Sequence, residues 1–196
     1  DLDIMHYVTG SYVDRVYAEA KSTIHEKCED MFVGTLHFRD NTIGLLEINW
    51  LTPTKIREFY VTGDRGMFRV NYITQDLCFF ENAEFDNSEW SPLSLLRGVS
   101  EGAIIQYAIK KKEPLRNELE TFIGYLQGKA NRLVSGTDAM EALKVAMALV
   151  ESASIAKMIK VNSHERYRVP PILSRKPRLS KSVGKIVKAA SFQTGD

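Results

Sequence analysis

The stretch LEINWLTPTKIREFYVTGDRG, residues 46–66, holds two short apolar runs around a polar connection. The spacing predicts β-strands over Leu45–Trp50 and Ile56–Thr62, joined by Leu51–Lys55 and closing on the turn Gly63-Asp64-Arg65-Gly66. Trp50, Thr52, Thr54, Lys55 and Arg57 place one aromatic face, two hydroxyls and two cations within eight residues, which makes this strand end a candidate binding edge. A bland alternative has equal weight. Lys55 and Arg57 stand two apart and share a face in a strand, and such a pair is more often solvated than functional.

Further strands are expected on both sides of this stretch, at Ser11–Ile24, Met31–Phe38, Ile43–Trp50, Met67–Tyr72, Leu77–Phe80 and Ile104–Lys110. In Met31–Phe38 the residues Phe32, Gly34, Leu36 and Phe38 fall on one face, and Arg39-Asp40-Asn41-Thr42 reads as a hairpin turn into the next strand. Short turns between regularly spaced strands predict an antiparallel meander. Glu81–Glu101 is polar and turn-rich and reads as a loop or lid-like excursion. Lys110-Lys111-Lys112 reads as the solvated end of a strand, with contact to an anion as the alternative.

Helices are expected at three places. Leu2, Ile4, Met5 and Val8 are helically spaced, and Gly10 follows as a C-cap. Pro114 suits the first turn of a helix carrying the stripe Leu115, Leu119, Phe122, Ile123 and Leu126, with Gly128 ending it. Ser135–Asp138 opens a third, with Thr137 or Asp138 as N-cap and Glu141 in a capping box. On that helix Ala139, Leu143, Ala146, Val150 and Ala153 are expected to face the core. The fold class that results is α+β, an open, mainly antiparallel sheet with helices packed on one face.

At 196 residues, 44% hydrophobic and 26% charged, the chain has the composition of one globular domain, or one domain with a tail. Through Glu165 there are 18 Lys and Arg against 24 Asp and Glu; from Arg166 onward there are 8 against 1. An acidic body therefore carries a basic tail. We divide the chain into a domain at 1–161 and a basic, partly disordered tail at 162–196. In the tail Lys181, Lys185 and Lys188 share a helical face opposite Val183 and Val187. Such a segment suits an acidic surface, nucleic acid or a membrane, but is more often a solubilising extension, so neither nucleic acid nor membrane is favoured as a partner.

No apolar run reaches the roughly 18 to 20 residues that span a bilayer. Cys28 and Cys78 lack metal-ligand spacing and read as free thiols of a reducing compartment, and His6, His25, His37 and His164 are scattered. A cytoplasmic location and the absence of a metal site are the resulting expectations. The first residue is Asp1, which suggests a fragment or a processed product.

Three stretches in order carry a family resemblance: DLDIMHYVTGSYVDRVYA at 1–18, EINWLTPTKIREFYVTGDRGMF at 47–68, and KKEPLRNELETFIGYLQG with LVSGTDAMEALKVAMALVESA at 111–128 and 133–153. Together they resemble the C-terminal domain of the glucose–fructose oxidoreductase, inositol dehydrogenase and MocA (Gfo/Idh/MocA) family of nicotinamide-dependent oxidoreductases. The resemblance covers about residues 1–161, through motifs that are loose singly and fairly specific in register. The wording NWLTPTKIR is similar to members that act on UDP-N-acetylhexosamines at the 3-position.

The resemblance implies a substrate-binding and oligomerisation domain whose partner, an N-terminal Rossmann domain, binds NAD or NADP and supplies the catalytic lysine. Neither that domain nor that lysine is in this chain, so no catalytic residue is assigned here. Asp3 matches the aspartate that trails the family's catalytic Asp-x-x-x-His motif. The implied substrate contacts are Lys55, Arg57, Trp50, Thr54 and Asp3: Trp50 packing a sugar ring, Arg57 meeting a carboxylate or a nucleotide-sugar diphosphate. A sugar or nucleotide-sugar is the implied substrate, and the open sheet face the implied homo-oligomer interface. Competing function classes are a free-standing sugar-binding or oligomerisation module and a surface binder acting through the basic tail.

Overall fold

The computed structural model describes residues 1–24, 28–82, 101–129, 133–162 and 186–189. Leu2–Thr9 forms helix α1. Thr9 donates its hydroxyl to the Met5 carbonyl at 2.8 Å, and Gly10, at φ 63°, closes the helix through its N–H to the His6 carbonyl. A left-handed C-cap position favours glycine because no Cβ meets the backbone there.

Strands β1 (Val13–Lys21), β2 (Met31–Phe38) and β3 (Ile43–Asn49) form an antiparallel ribbon. The turn between β2 and β3 puts Asn41 at φ 66°, with the Asp40 side chain accepting the Thr42 N–H. Alternation, with a register shift in β1 between Val13 and Arg15, sends Val13, Val16, Ala18, Leu36, Phe38 and Leu46 to one side, where all are buried.

On that side lies the long helix, Gly136–Ile155, which is α3; helix α2 is Pro114–Leu126. Helix α3 packs on β1, and α1 packs on α3. Val145, Ala148 and Leu149 join Met5 and the buried strand residues in one core. Gly34 makes the approach possible: a Cβ there would lie 2.9 Å from a Leu149 methyl. Ser152, fully buried, satisfies the part of β1 that the two-residue strand β8 (Ile159–Lys160) leaves unpaired. It accepts the Ala18 N–H at 3.0 Å and donates to the Lys157 carbonyl at 2.5 Å.

The face of α3 differs from the expected one. Leu143 and Val150 are 59% and 62% exposed, whereas Glu141, Val145, Ala148, Leu149 and Ser152 are buried. The helix start also shifts: Ser135 is the N-cap and shares a reciprocal capping box with Asp138, leaving Glu141 free to sit in the interior beside Lys144, 2.7 Å away. Helix α2 begins at Pro114 as expected, capped by the Glu113 side chain on the Leu115 and Arg116 N–H groups, and Gly128 follows it at φ 73°. Its apolar stripe is exposed, with Leu115 at 61% and Leu126 at 68%, so the sheet is covered by α1 and α3 rather than by α2.

The remaining strands are β4 (Glu58–Gly63), β5 (Gly66–Asn71), β6 (Asp76–Asn82), β7 (Glu101–Tyr107) and β9 (Ile186–Ala189). They join one nine-stranded sheet in the order β7-β6-β5-β4-β9-β3-β2-β1-β8. The simple meander is therefore interrupted: β3 and β4 are consecutive in sequence yet are not neighbours. Strand β9 lies between them, parallel to β3 and antiparallel to β4. The helical pattern assigned to Lys185, Lys188 and Val187 gives way over Ile186–Ala189 to a strand, which supplies hydrogen bonds to two strand edges at once. The expected loop at Glu81–Glu101 begins and ends in strand, and residues 83–100 lie outside the described residues, as do 163–185 and 190–196.

A candidate ligand cleft beside Arg57

The connection between β3 and β4 is anchored at its start. The Trp50 N–H donates to the Asp30 carbonyl at 2.9 Å, and the Leu51 N–H to the Asn49 side chain at 2.7 Å. Asp30 is 1% exposed and its carboxylate accepts the N–H groups of Thr23 and Ile24 at 2.7 and 2.5 Å. Asp30 thus ties the segment after β1, through its carboxylate, to the start of this loop, through its carbonyl. Beyond that anchor Trp50 is half exposed and Thr54 and Lys55 are exposed, while Thr52 and Arg57 are partly buried.

Arg57 lines a cleft of about 650 Å³ between the start of α1, the end of β5 and the segment leading into α2. Asp1 and Ile4 contribute from the α1 side, Tyr72 and Gln75 from the β5–β6 turn, and Lys110 and Lys112 from the α2 side. A cleft of this size suits a small organic ligand. The Arg57 carbonyl accepts the Tyr72 N–H at 2.9 Å, prolonging the β4–β5 ladder past Glu58 and Asn71, so the two side chains are set on a paired backbone. The Tyr72 hydroxyl is buried without a hydrogen-bond partner among the described residues, and burial pushes its pKa up to about 12. It stays protonated and is a donor available to a ligand.

Of the expected contacts, Arg57 lines this cleft. Trp50, Thr54 and Lys55 stand on the exposed connection leading to it, and Asp3 is partly buried on α1 two residues from the lining Asp1. Tyr72, Gln75, Lys110 and Lys112 were not singled out by sequence as one site, because 35 to 40 residues separate the turn from the lysines it meets, and no local spacing records that meeting. The sequence marks the three lysines as a solvated strand end, with contact to an anion as the alternative.

Beneath α1, His6 is 2% exposed, its ring edge-on to Tyr12 and Phe38 with centroids 6.0 and 5.9 Å away. Burial lowers its pKa, against the opposing fields of Asp3, Glu141 and Asp138. A neutral imidazole inside the core is a packing role. A second cavity, about 390 Å³, lies at the end of α1 against Phe68, Phe79 and Tyr107, where the helices leave the same face of β5–β7 open.

Among the described residues no group of three or more His, Cys, Asp or Glu could hold a metal, and no helix is long and apolar enough to cross a membrane. Cys28 is exposed, Cys78 is buried, and both are free thiols. Among the described residues the connections from β1 through β6 are turns and loops, with no glycine-rich strand-to-helix turn.

Residues 1–69 match the family model described as the GFO/IDH/MocA C-terminal domain. No curated protein matches the sequence. Among solved structures, UDP-N-acetylglucosamine 3-dehydrogenase GnnA from Acidithiobacillus ferrooxidans superposes with a TM-score of 0.64 at 17% identity, over 79% of this chain and 46% of that one. The WlbA dehydrogenase from Bordetella pertussis, in complex with NADH and UDP-GlcNAcA, gives 0.56 at 20% identity, over 83% and 43%. A levoglucosan dehydrogenase in complex with NADH and levoglucosan gives 0.63 at 15%, over 83% and 48%. At these identities the likeness is one of fold, and the chain spans about half the length of the structures it matches.

Proposed function

We propose that this chain, whose residues 1–69 match the GFO/IDH/MocA C-terminal domain model and whose fold resembles that of GnnA, is the substrate-binding half of an NAD(P)-dependent sugar or nucleotide-sugar oxidoreductase. The observation that carries this reading is the cleft beside Arg57, with a guanidinium and a buried tyrosine hydroxyl that has no hydrogen-bond partner among the described residues, both on paired backbone. Both groups donate hydrogen bonds, which suits a ligand rich in oxygen acceptors. Arg57 is the central contact. Trp50, Thr54, Lys55 and Asp3 are outer contacts for a ligand that extends beyond the cleft. On the family resemblance, the cofactor and the general base are assigned to a separate Rossmann-type half.

Two titrations of the full chain test this. A panel of sugars and nucleotide-sugars is expected to yield a binder whose affinity drops about tenfold in Arg57→Ala, the loss of one charge-assisted contact. Equal affinity in the variant, or no binder at all, removes the site. NADH fluorescence is expected to stay unchanged on mixing with the chain; saturable binding would overturn the assignment of the cofactor to another half.

We also propose that the face of the sheet away from α1 and α3 joins copies of the chain. Tyr17, Val33 and Ile43, on three adjacent strands, are about 40% exposed there among polar neighbours. Analytical ultracentrifugation is expected to find a dimer or larger. A monomer at all concentrations would exclude this interface.

A further inference from the structure

One end of the Arg57 cleft carries two lysines, on a segment whose backbone is held in place at Lys112. Lys110 and Lys112 both line it, on the extended segment between β7 and α2. They stand two apart, as alternate residues of an extended chain must to face one way. Lys111, between them, pairs instead with Asp76 at 3.2 Å.

The segment is tied to the β5–β6 turn by a reciprocal pair: the Gln75 side-chain amide donates to the Lys112 carbonyl at 2.8 Å, and its oxygen accepts the Lys112 N–H at 3.1 Å. This reproduces with a side chain the two hydrogen bonds of a β-bridge. Gln75 holds it from a left-handed position, φ 55°, in a turn fixed by Asn71, whose side chain accepts the N–H groups of Ile73 and Thr74. A strand end that merely needed to be solvated would have no use for such a clamp.

Among the described residues Lys110 and Lys112 line the cleft with Asp1 and Asp76, and Asp76 is already engaged by Lys111. Glu113, the next carboxylate along the segment, is occupied by the α2 N-terminus. The Lys112 ammonium reaches only the neutral Asn117 side chain, at 3.3 Å, and the Lys110 ammonium makes no ion pair among the described residues. An excess of positive charge in a partly enclosed cleft attracts and orients an anion.

We infer that Lys110 and Lys112 form an anion subsite at this end of the cleft, so that the ligand is an acidic sugar derivative, carrying a phosphate or a carboxylate, and not a neutral sugar. The inference deepens the sugar-binding reading above and rests on it.

Calorimetric titration of the full 196-residue chain with glucose 1-phosphate, glucuronate, glucose and inorganic phosphate tests it. At least one acidic sugar is expected to bind about tenfold or more tighter than glucose. That advantage is expected to shrink as NaCl rises from about 50 to about 500 mM. It should be lost in the double variant Lys110→Ala, Lys112→Ala and kept in Lys129→Ala, which removes a charge at the far end of α2. The first two ligands distinguish a phosphate from a carboxylate. If glucose binds as tightly as the acidic sugars and the double variant changes nothing, the anion subsite is overturned and the sugar site stands. Binding of inorganic phosphate at the lysines without any sugar leaves the subsite and removes the sugar reading. Binding of none of the four removes both.

Discussion

Gly66→Ala is expected to lower the unfolding free energy by about 3 kcal/mol, combining a strained backbone and an overpacked contact of a few kcal/mol at most. Gly66 opens β5 directly after the Gly63–Gly66 turn, at φ 146°, a region that side chains rarely adopt. A Cβ at this position would lie 2.1 Å from the Phe80 carbonyl oxygen and about 3 Å from the Phe79 ring. The obstacle is backbone. It cannot swing away as a long side chain would, because Gly66 pairs with Glu81 and the Asn82 N–H reaches back to the Arg65 carbonyl. Relief would require β6 to part from β5. Gly63→Ala is the internal control: nothing lies within 4 Å of a Cβ there, and a change within about 1 kcal/mol is expected. Urea unfolding of the two variants beside the unsubstituted chain measures the contrast, and equal midpoints for all three would show that the turn does not depend on glycine at Gly66.

Phe38→Ala is expected to cost about 3 to 5 kcal/mol, the range for removing a fully buried aromatic side chain. Phe38 has no exposure at the end of β2. Its ring lies edge-on to His6 of α1 and would meet a Cβ at Gly44 of β3 at 3.2 Å, so it fills the space among three elements. Truncation leaves a void that α1, only eight residues long, cannot close by shifting without losing Met5 from the core. Phe38→Leu, which keeps most of the volume, should cost about half as much or less. Because α1 also carries Asp1 and Ile4 into the Arg57 cleft, ligand affinity should fall in Phe38→Ala more than in Phe38→Leu. Chemical unfolding measures the stability terms. A loss below about 1 kcal/mol for the alanine variant would mean that α1 is not held by this contact.

Much of the fold was legible because the signals are local. The alternation in Met31–Phe38 reproduces the observed β2 residue for residue, and Gly10, Asn41 and Gly66 mark positive-φ positions at the helix end and hairpin turns. Pro114 and Gly128 bracket α2 for the same reason. The buried face of α3 was not legible. The helix carries two apolar rows, Met140, Leu143, Met147 and Val150 on one side and Val145, Ala148 and Leu149 on the other, and periodicity ranks neither. What selects the second row is the strand beneath it: Gly34 leaves room for Leu149, and the unpaired Ala18 N–H needs Ser152.

The candidate site divides along the same line. From the sequence alone, the strands, their turns and the ends of two helices follow from periods and caps that span a few residues, and Arg57 is marked as a cation at a strand end. Only the tertiary structure decided that Ile186–Ala189 separates β3 from β4, that the exposed Trp50–Lys55 connection ends in a cleft at Arg57, and that Tyr72, Gln75, Lys110 and Lys112 line that cleft with it. Strand order and the joining of distant turns depend on which backbone edges remain unpaired and which side chains fill the gaps between layers. These are properties of the packed chain, and no short window of residues contains them.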